Sequence, residues 1–557
     1  MPDSAVLSGA PETLPGVTVG EYLRHLAPDL ARGKQPPDWP PDAFALAASL
    51  LLHSGAYLQV VAKWPPTGTA ADGCLTDLPE RWAERAAAIG RRWRAALPGS
   101  PPAEVRRLWA QLRKSSHLEL GEVSGSTLCR TLVQLCAVAD EACQGVGYQP
   151  PEDGGDFFDF VASRELLPDP EAGSTLCQAV HVSRVRVLPK CHTPQTGITL
   201  DSLFHNLTLW PAVDVQPHWI TPQHRGLDNV EHRLNLLLVP WPEKVSPMQF
   251  AAASPRSGEL ANMPAKFGFF SYTKKSDPDG LKARLDDVYQ RALELAGRIE
   301  LVVLPELALD LAEYEAVRGW AQDRKLLLLC GVGEPSAGAT PGKNYVALEV
   351  LLSGEHSVQV RQYKHHRWQL DKRQIVQYGL GGQLDPEGRW WEHTSAQARR
   401  LTFVSLLDWL SFCFLVCEDL ARQEPVARLV RSVGPNLVIA LLMDGPQLPG
   451  RWPDRYATVL ADDPGSSVLT LTSIGMAELC RPPGVTPSRA VALWKDAKSG
   501  AARAIELPVG ADGLVLNLTR LREEEWSADG RSDGGVAGYP ILAGVHPVWA
   551  GPAPRKS

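Results

Sequence analysis

The sequence predicts a chain in two parts, a helical N-terminal region and a layered α/β C-terminal region. From Val17 to Gly147, apolar residues recur at three- and four-residue spacing with arginines on the opposite face, which is the pattern of amphipathic helices. After Arg233 the pattern changes to short, continuous apolar runs, typical of strands that are covered on both faces. At 557 residues the chain is long enough for two or three domains.

We expect three segments along the chain. These are a helical domain over residues 1–150, a mixed connecting region over 151–233, and an α/β domain over 234–557. The stretch from Tyr148 to Asp156, YQPPEDGGD, is rich in proline, glycine and acidic residues, and it marks the first boundary. The connecting region offers a strand candidate in VSRVRVLPK, but it contains no motif that indicates a function.

Helices and strands alternate in the C-terminal region. The segment from Asp279 to Arg298 places its apolar residues on one stripe, including Leu295, and then leads directly into the apolar run IELVVLP. The run VALEVLLSGEHSVQV has the pattern of a hairpin, and SVLTLTS also suggests antiparallel pairing, so a purely parallel sheet is not expected. Together these features predict a layered α/β sandwich.

Charge and hydropathy argue against several functional classes. A formal net charge of -7 and 21% charged residues do not favour a phosphate-binding surface, so nucleic acid is not an expected partner. The first residues lack the pattern of a signal peptide, and no apolar run approaches the roughly 20 residues that span a bilayer. We therefore expect a cytoplasmic protein with no membrane partner.

Metal and cofactor sites are not indicated by the sequence. The ten cysteines form no CxxC pair and no HExxH motif occurs, so no metal site is predicted, and the cysteines are expected to be reduced thiols. Neither GxxxxGKS/T nor GxGxxG is present, so no nucleotide cofactor is predicted.

Three residues with reactive side chains, a cysteine, a glutamate and a lysine, directly follow apolar runs that are predicted to be strands. Cys417 follows LSFCFLV and precedes the helix signal EPVARLVRSVG, which begins at Pro425. This is a strand-to-helix elbow, where backbone N–H groups can hold an oxyanion. Glu306 follows IELVVLP, and Lys364 follows SVQVRQY. A thiol, a carboxylate and an ammonium group at strand ends suit a nucleophile, a base and a charge stabiliser.

Each of these residues also has a purely structural interpretation. A cysteine after an apolar strand is often a packed core residue, and a glutamate after a strand can cap the next helix. A lysine in a polar segment is usually solvated. The combination of the three, rather than any one of them, favours a catalytic site.

The three motifs resemble those of the nitrilase, or carbon–nitrogen hydrolase, superfamily, in which Glu, Lys and Cys occur in this chain order. The matching stretches are LVVLPELAL, YKHHRWQLDKR and LVCEDLAR, together with KNYVALEV, which carries Asn344 between the first two. The resemblance covers about residues 234–531 and does not extend to the first 233 residues. It implies a four-layer α-β-β-α sandwich.

The resemblance also implies a reaction. Cys417 would attack the carbon of a small amide, nitrile or ureido substrate and form a thioester that water hydrolyses, with no cofactor. Glu306 would act as the base, while Lys364 would lower the pKa of the thiol and hold the oxyanion together with the backbone amide of Glu418. Asp371 stands where some family members carry a second glutamate, so it is the candidate for an auxiliary carboxylate.

Alternatives remain open at this point. The same thioester could pass its acyl group to an amine, which would make the protein an N-acyltransferase, or the α/β domain could be a catalytically weak binding or assembly module. The resemblance implies a homo-oligomer, and the N-terminal helices are a candidate surface for a protein partner that regulates the activity. The candidate oligomer surface is an apolar stripe formed by Val426, Leu429, Val430 and Val433.

Overall fold

The computed structural model describes most of the chain. The described residues are 16–33, 35–59, 81–97, 99–125, 127–148, 173–211, 215–222, 232–253, 267–337, 340–351, 357–396, 399–480 and 488–551. Except for Tyr148, the linker predicted from Tyr148 to Asp156 lies outside the described residues. The chain divides into two compact units: a first unit of Met1–Val213, Ser432–Gly434 and Glu523–Ala537, and a second unit of Asp214–Arg431, Pro435–Arg522 and Gly538–Ser557.

These units are not continuous along the chain. The segment Glu523–Ala537 belongs to the first unit, although it lies near the end of the sequence. The second unit begins before residue 233, within the region that was expected to connect two domains. Compactness alone does not show which parts fold independently, so the three predicted segments stay a prediction.

The first unit is helical in its N-terminal part, as the spacing of apolar residues predicted. Its elements are α1 (Val19–Leu26), α2 (Pro28–Arg32), α3 (Pro40–His53), α4 (Trp82–Ala95), α5 (Ala103–Lys114), α6 (Thr127–Ala142) and the antiparallel pair β1 (Arg186–Pro189) and β2 (Leu207–Trp210). Helix α6 is central, because α3, α4 and α5 all contact it. Gly90 permits the close approach of α4, since a Cβ there would lie 2.5 Å from the side chain of Glu141.

A buried arginine joins distant parts of the first unit. Arg531 is 1% exposed and forms ion pairs with Asp140 and Glu141 of α6 and with Asp529. Asp140 also accepts the backbone N–H groups of residues 205–207. A buried guanidinium is tolerated only when its charge is compensated. The segment Glu523–Ala537 is therefore held in this unit by compensated charge as well as by packing.

We predict that Arg531→Met lowers the free energy of unfolding by about 3–5 kcal/mol, because buried carboxylates lose their common counter-charge. Chemical denaturation followed by circular dichroism measures this loss. Arg91→Met removes an exposed arginine of α4 and serves as the control, with an expected change of less than about 0.5 kcal/mol. Equal stability of the two variants would contradict the role given to Arg531.

Among the described residues, the second unit contains three sheets. Its strands are β3 (Gln216–Ile220), β4 (Arg233–Leu238), β5 (Phe250–Ala252), β6 (Phe267–Tyr272), β7 (Leu301–Leu309), β8 (Leu327–Glu334), β9 (Lys343–Leu351), β10 (Ser357–Tyr363), β11 (Gln369–Leu370), β12 (Arg389–Glu392), β13 (Arg400–Ser405), β14 (Ser411–Val416), β15 (Leu437–Leu442), β16 (Ser467–Thr472), β17 (Ala490–Lys495), β18 (Arg503–Glu506), β19 (Gly513–Arg522) and β20 (Gly538–Val548). One seven-stranded sheet has the order β10-β9-β8-β7-β4-β19-β20, and the other has the order β18-β17-β16-β15-β14-β13-β3. A four-stranded sheet has the order β11-β12-β6-β5. Both large sheets are mixed, and β9 and β10 form the predicted antiparallel hairpin.

The two large sheets pack face to face between helices. The remaining helices are α7 (Pro278–Ala296), α8 (Leu311–Asp323), α9 (Lys372–Gln377), α10 (Arg428–Val433), α11 (Trp452–Asp462) and α12 (Ile474–Leu479); all belong to the second unit except the last two residues of α10. Alternate residues of β7 show the layering: Leu301 and Val303 join the core shared with the second sheet, whereas Val302 and Leu304 pack with α7 and α8. Helix α11 contacts β16 and β17 of the second sheet. The arrangement is the predicted four-layer α-β-β-α sandwich.

Helix α7 follows from local signals in the sequence. The side chain of Asp277 caps its first turn by accepting the N–H of Gly280, Pro278 takes the first helical position, and Gly297 ends the helix with φ 76°. The buried residues of the predicted stripe are Leu281, Leu285, Val288 and Ala292. Leu295 was expected on the same stripe but is 57% exposed, so the buried face ends one turn before the helix does.

The helix predicted to begin at Pro425 starts later than expected. Residues Gln423–Ala427 form a wide, irregular turn, and the regular helix α10 begins at Arg428. The predicted oligomer stripe is buried within the chain at all four positions, Val426, Leu429, Val430 and Val433. It therefore offers no exposed surface, and a homo-oligomer stays a prediction that requires a different surface.

The thiol state differs from the prediction at one described cysteine. Eight of the described cysteines are free and buried, whereas Cys129 is disulfide-bonded. None of the helices in the described part of the chain is long and apolar enough to cross a membrane.

Candidate active site

Strand ends bring three predicted site residues together. Glu306 lies in β7, Lys364 directly follows β10, and Cys417 directly follows β14. Strands β7 and β10 belong to one large sheet and β14 belongs to the other, so residues from both sheets contribute to the site. The three residues are 1–3% exposed. A charged side chain is rarely buried to this extent unless it is paired, so their partners decide what the site can do.

The backbone around Glu306 departs from a regular strand. The pairing of β7 with β8 shifts register between Leu304 and Leu309, and Leu307 has φ 52°. Gly331 of β8 provides the space, since a Cβ there would lie 2.5 Å from the Cα of Glu306. A non-glycine residue with positive φ costs free energy and persists only where the surrounding structure imposes it. The irregularity therefore marks Glu306 as a constrained position.

Lys364 is held between two glutamates. Its Nζ donates to Oε1 of Glu306 at 2.8 Å and to Oε2 of Glu392 at 2.7 Å. Asn344 also bridges the glutamates, because its Nδ2 donates to Oε1 of Glu306 at 2.8 Å and to Oε1 of Glu392 at 2.7 Å. An ammonium group has three protons. Within the described residues two of them have acceptors, so one remains available.

The two carboxylate oxygens of Glu306 differ in their hydrogen bonds. Its Oε1 accepts from Lys364 and Asn344, whereas its buried Oε2 has no hydrogen-bond partner among the described residues. Burial raises the pKa of Glu306 above 4.5, the ammonium of Lys364 opposes this shift, and the charge of Glu392 adds to it. A buried carboxyl group with a raised pKa and a free oxygen is suited to accept and return a proton.

Cys417 adopts a left-handed backbone conformation at the turn between β14 and a short helix. Its φ is 45°, and it is the first residue of a one-turn helix, Cys417–Ala421. Burial raises the pKa of this thiol well above its ordinary value, and the charge of Glu306 adds to the shift, while Lys364 opposes it. The thiol is therefore protonated at rest, and the attraction of Lys364, which was expected to lower its pKa, is outweighed by burial.

Asp419 positions the elbow against the segment that follows Lys364. Its fully buried carboxylate accepts the backbone N–H of His365 at 3.1 Å and contacts Nδ1 of His366 at 2.9 Å. Hydrogen bonds to a charged group are stronger than those between neutral groups. The aspartate of the CED sequence thus fixes the two strand ends that carry Cys417 and Lys364 relative to each other.

The other two predicted site residues lie in different surroundings. Glu418 follows Cys417 in the one-turn helix, where the first N–H groups have no intrahelical acceptor, and its side chain pairs with Arg422. Asp371 does not join the buried set. It is exposed and caps α9 by accepting the N–H of Gln374 at 2.8 Å. The second carboxylate that contacts Lys364 is that of Glu392.

Sequence analysis missed Glu392, although signals for both acidic residues exist. Asp371 and Gln374 have the spacing of a capping box, which indicates the start of a helix. Glu392 is the last residue of β12, an aromatic strand that pairs with β6 from a distant part of the chain. Non-local pairing of this kind brings Glu392 to Lys364, and no local pattern reports it.

Two cavities adjoin the buried set. One has a volume of about 140 Å³ and is lined by residues that include Glu306 and Lys364. The other has a volume of about 350 Å³ and is lined by residues that include Cys417. Trp368 and Met443 line both cavities. The two cavities therefore share part of their lining, between the side of Glu306 and Lys364 and the side of Cys417.

Comparisons with known proteins concern the fold of the C-terminal part. No protein-family model and no curated protein sequence matches the chain. Among solved structures, it is similar to Nit3 of Saccharomyces cerevisiae, a member of branch 10 of the nitrilase superfamily, with 12% identity and a TM-score of 0.32 over 52% of this chain and 90% of Nit3.

Two further solved structures are similar to the same extent. A carbon–nitrogen hydrolase from Helicobacter pylori G27 shares 12% identity with a TM-score of 0.30 over 49% of this chain and 86% of its own. The NitFhit protein of C. elegans shares 12% identity with a TM-score of 0.30 over 51% of this chain and 60% of its own. At this identity the similarity says nothing about the reaction, which has to be inferred from the geometry of the site.

We predict that Lys364→Met destabilises the protein more strongly as the pH rises. Without the ammonium group, Glu306 and Glu392 are uncompensated buried carboxylates, and the loss of Lys364, which opposes the upward shift of the pKa of Glu306, raises that pKa further above the unfolded value. At low pH the buried carboxyl groups are protonated, and the variant keeps its stability. As the pH rises through the raised folded-state pKa, the groups must ionise in a buried place and the variant loses stability. The free energy of unfolding should therefore fall by about 3–5 kcal/mol at neutral pH and by less in acid.

Denaturant titrations of wild type and variant at pH 5 and pH 8 measure this difference. Lys372→Met is the matched control, because Lys372 lies on α9 and pairs with Glu387, and both side chains are more than half exposed. The control should lose little stability at either pH, since exposed ion pairs contribute about 0–1 kcal/mol. A loss in Lys364→Met that is the same at both pH values would contradict the proposed charge cluster.

Proposed function

We propose that the protein hydrolyses a non-peptide carbon–nitrogen bond in a small amide, nitrile or ureido compound, through a thioester on Cys417. The observation that supports this proposal most is the unpartnered, buried Oε2 of Glu306, next to an ammonium group on Lys364 with a proton to spare. Other buried polar atoms of the described residues also lack a partner, for example Nε1 of Trp409, so the distinguishing feature of this oxygen is the unused proton of Lys364 in the same cluster. An unsatisfied oxygen and an unused proton in one cluster favour a site that is completed by substrate.

With an amide substrate, the first step is attack of Cys417 Sγ on the carbonyl carbon. Oε2 of Glu306 takes the thiol proton as the carbon–sulfur bond forms, which avoids a free thiolate in a buried place. Negative charge then develops on the substrate oxygen. The third proton of Lys364 and the N–H of Glu418 hold this oxyanion, as donors arranged in advance of the reaction.

The second step breaks the carbon–nitrogen bond. The tetrahedral species collapses to the thioester, and Glu306 gives its proton to the departing ammonia or amine. Water then attacks the thioester carbon while Glu306 takes one of its protons, and collapse returns that proton to the sulfur of Cys417 and releases the carboxylic acid. Glu306 thus acts once as a base and once as an acid in each half-reaction.

Glu392 and Asn344 act through the groups that touch the substrate. Burial alone would lower the pKa of Lys364, but attraction to Glu306 and Glu392 raises it well above its ordinary value. The ammonium therefore stays charged without water around it. Asn344 holds an oxygen of each glutamate, so Glu392 and Asn344 are positioning residues.

We predict that Cys417→Ala abolishes turnover and that Cys413→Ala does not. Cys413 lies four residues earlier in the same motif, in the interior of β14, where it is fully buried. Its replacement should cost about 1–2 kcal/mol of stability and leave the chemistry intact. Product release is measured over a panel of amides, nitriles and ureido compounds, and intact-mass spectrometry on a slow substrate detects the thioester.

The two cysteine variants provide each other's control. An acyl adduct should appear on the wild type and on Cys413→Ala, and it should be absent from Cys417→Ala. An adduct that persists in Cys417→Ala, or unchanged turnover in that variant, would contradict the catalytic assignment and favour a binding or assembly module instead.

We predict that Glu392→Gln changes both the rate and its pH dependence. Glu306 must be ionised to accept the thiol proton, so kcat/KM should rise with pH through its raised pKa, with an acid limb above pH 4.5. The charge of Glu392 contributes to that raised pKa, so in Glu392→Gln the acid limb should move to lower pH. The rate should fall about 10- to 100-fold because the oxyanion donor Lys364 loses a partner.

Asp371→Ala is the matched control for this measurement. It removes a helix cap at an exposed position, which should cost about 0.5–2 kcal/mol of stability and leave the pH profile of kcat/KM unchanged. If Asp371→Ala shifts the acid limb and Glu392→Gln does not, Asp371 is the auxiliary carboxylate and the assignment of Glu392 fails.

Acyl transfer is a second candidate function. The cavity on the side of Glu306 and Lys364 has a volume of about 140 Å³, far more than the roughly 10–15 Å³ that one water needs. An amine could therefore reach the thioester in place of water. Adding hydroxylamine during turnover tests this alternative, because an acyltransferase would form the hydroxamate in preference to the free acid.

A further inference from the structure

An arginine without a charged partner lines the cavity that contains Cys417. Arg367 stands three residues after Lys364, and it lines the cavity of about 350 Å³ together with Cys417. Its Nε donates to the backbone oxygen of Thr394 at 3.0 Å, and its guanidinium lies over the ring of Phe269 at 5.3 Å. These contacts fix the plane of the guanidinium. Its two terminal nitrogens have no acceptor in the part of the chain that the structure describes.

The acidic side chains of this cavity already have partners. Glu418 pairs with Arg422, which lines the same cavity, and Asp444 pairs with Arg451 at 3.1 Å. Arg367 therefore contributes a positive charge that no described side chain balances. A guanidinium held through Nε presents its remaining N–H groups as a fork, which matches the two oxygens of a carboxylate.

The remaining walls suit a flat or apolar group. Trp391, Trp452 and Tyr456 line the cavity, and the ring of Trp391 is held by stacking on Phe267 with centroids 3.9 Å apart. The volume falls in the range of small-molecule sites, and a few polar groups among apolar walls usually fix the orientation of the ligand. Because Cys417 lines this cavity, an acyl group bound to its sulfur can occupy it.

We propose that Arg367 binds a carboxylate on the acyl half of the substrate, so that the preferred substrates are amides, nitriles or ureido compounds whose acyl part ends in an anionic group. This inference rests on the proposed function insofar as it concerns a substrate. The binding of a carboxylate in the cavity of Cys417 does not depend on turnover. The two claims can therefore be tested separately.

The first test compares two thiol reagents of nearly the same size, the anionic iodoacetate and the neutral iodoacetamide. Each forms a carbon–sulfur bond at Cys417 and releases iodide, and peptide mass mapping gives the rate at this residue. Arg367→Met should lower the ratio of the iodoacetate rate to the iodoacetamide rate by about tenfold. Arg367→Lys should retain part of the ratio, because it keeps the charge without the fork.

Arg373→Met is the matched control, since Arg373 is an exposed arginine on the neighbouring helix α9 and does not line the cavity. Its ratio should equal that of the wild type. A ratio that is unchanged in Arg367→Met, or lowered equally in Arg373→Met, would overturn the proposal. If neither reagent modifies Cys417 in the native protein, because its thiol stays protonated, the second measurement decides the role of Arg367, and the proposed function is judged by the thioester adduct alone.

The second measurement is isothermal titration calorimetry with benzoate and its neutral analogue benzamide, on Cys417→Ala, which cannot form a covalent adduct. Benzoate should bind more tightly than benzamide, and the added substitution Arg367→Met should weaken benzoate by about 10- to 100-fold and leave benzamide unchanged. Equal binding of the two compounds, absence of benzoate binding, or stronger binding of inorganic phosphate than of benzoate would overturn the assignment of a carboxylate.

Discussion

The site depends on one buried ammonium group placed between two carboxylates. Lys364 neutralises part of the charge of Glu306 and Glu392, and without it both buried glutamates would lack a counter-charge. The cost of removing these three charges from water is offset only because each has a partner at 2.7–2.8 Å. The fold must therefore hold three strand ends in a fixed relation, and much of the local structure meets that demand.

Local backbone features on each of the two large sheets hold these residues in position. On one sheet, the register shift in β7 and the absence of a side chain at Gly331 place Glu306 close to β8. On the other sheet, the positive φ of Cys417 forms the elbow, and Asp419 holds the segment after Lys364. Positive φ at Leu307, next to Glu306, and at Cys417 suits a preorganised site, in which reorganisation is completed on folding rather than during the proposed reaction.

The sequence predicted the strands that carry the site residues better than the contacts between those residues. Apolar runs and helix caps are local, so the strands that carry Glu306, Lys364 and Cys417 and the layered sandwich could be predicted. The partner of Lys364 could not, because β12 reaches it through pairing with the distant β6. The direction of the pKa shift of the Cys417 thiol could not be predicted either, because it depends on how deeply the packed fold buries this residue. A sequence shows that a lysine and a cysteine could attract each other electrostatically. It does not show how far each group is removed from water in the folded protein.

The same limit explains why the first unit was only partly predicted. Its helices follow from apolar spacing, but the return of the segment Glu523–Ala537 to this unit leaves no periodic signal. Its anchor is a single residue, Arg531, whose partners Asp140 and Glu141 lie almost four hundred residues earlier in the chain. Because the chain leaves the second unit after Arg522 and returns to it at Gly538, removal of residues 523–537 would leave the buried carboxylates of α6 without their counter-charge. A cut at the predicted boundary near residue 233 would likewise separate β3 from its partner β13. Neither unit is a contiguous piece of sequence, so the charge pairs that complete the first unit can form only after most of the chain has been synthesised.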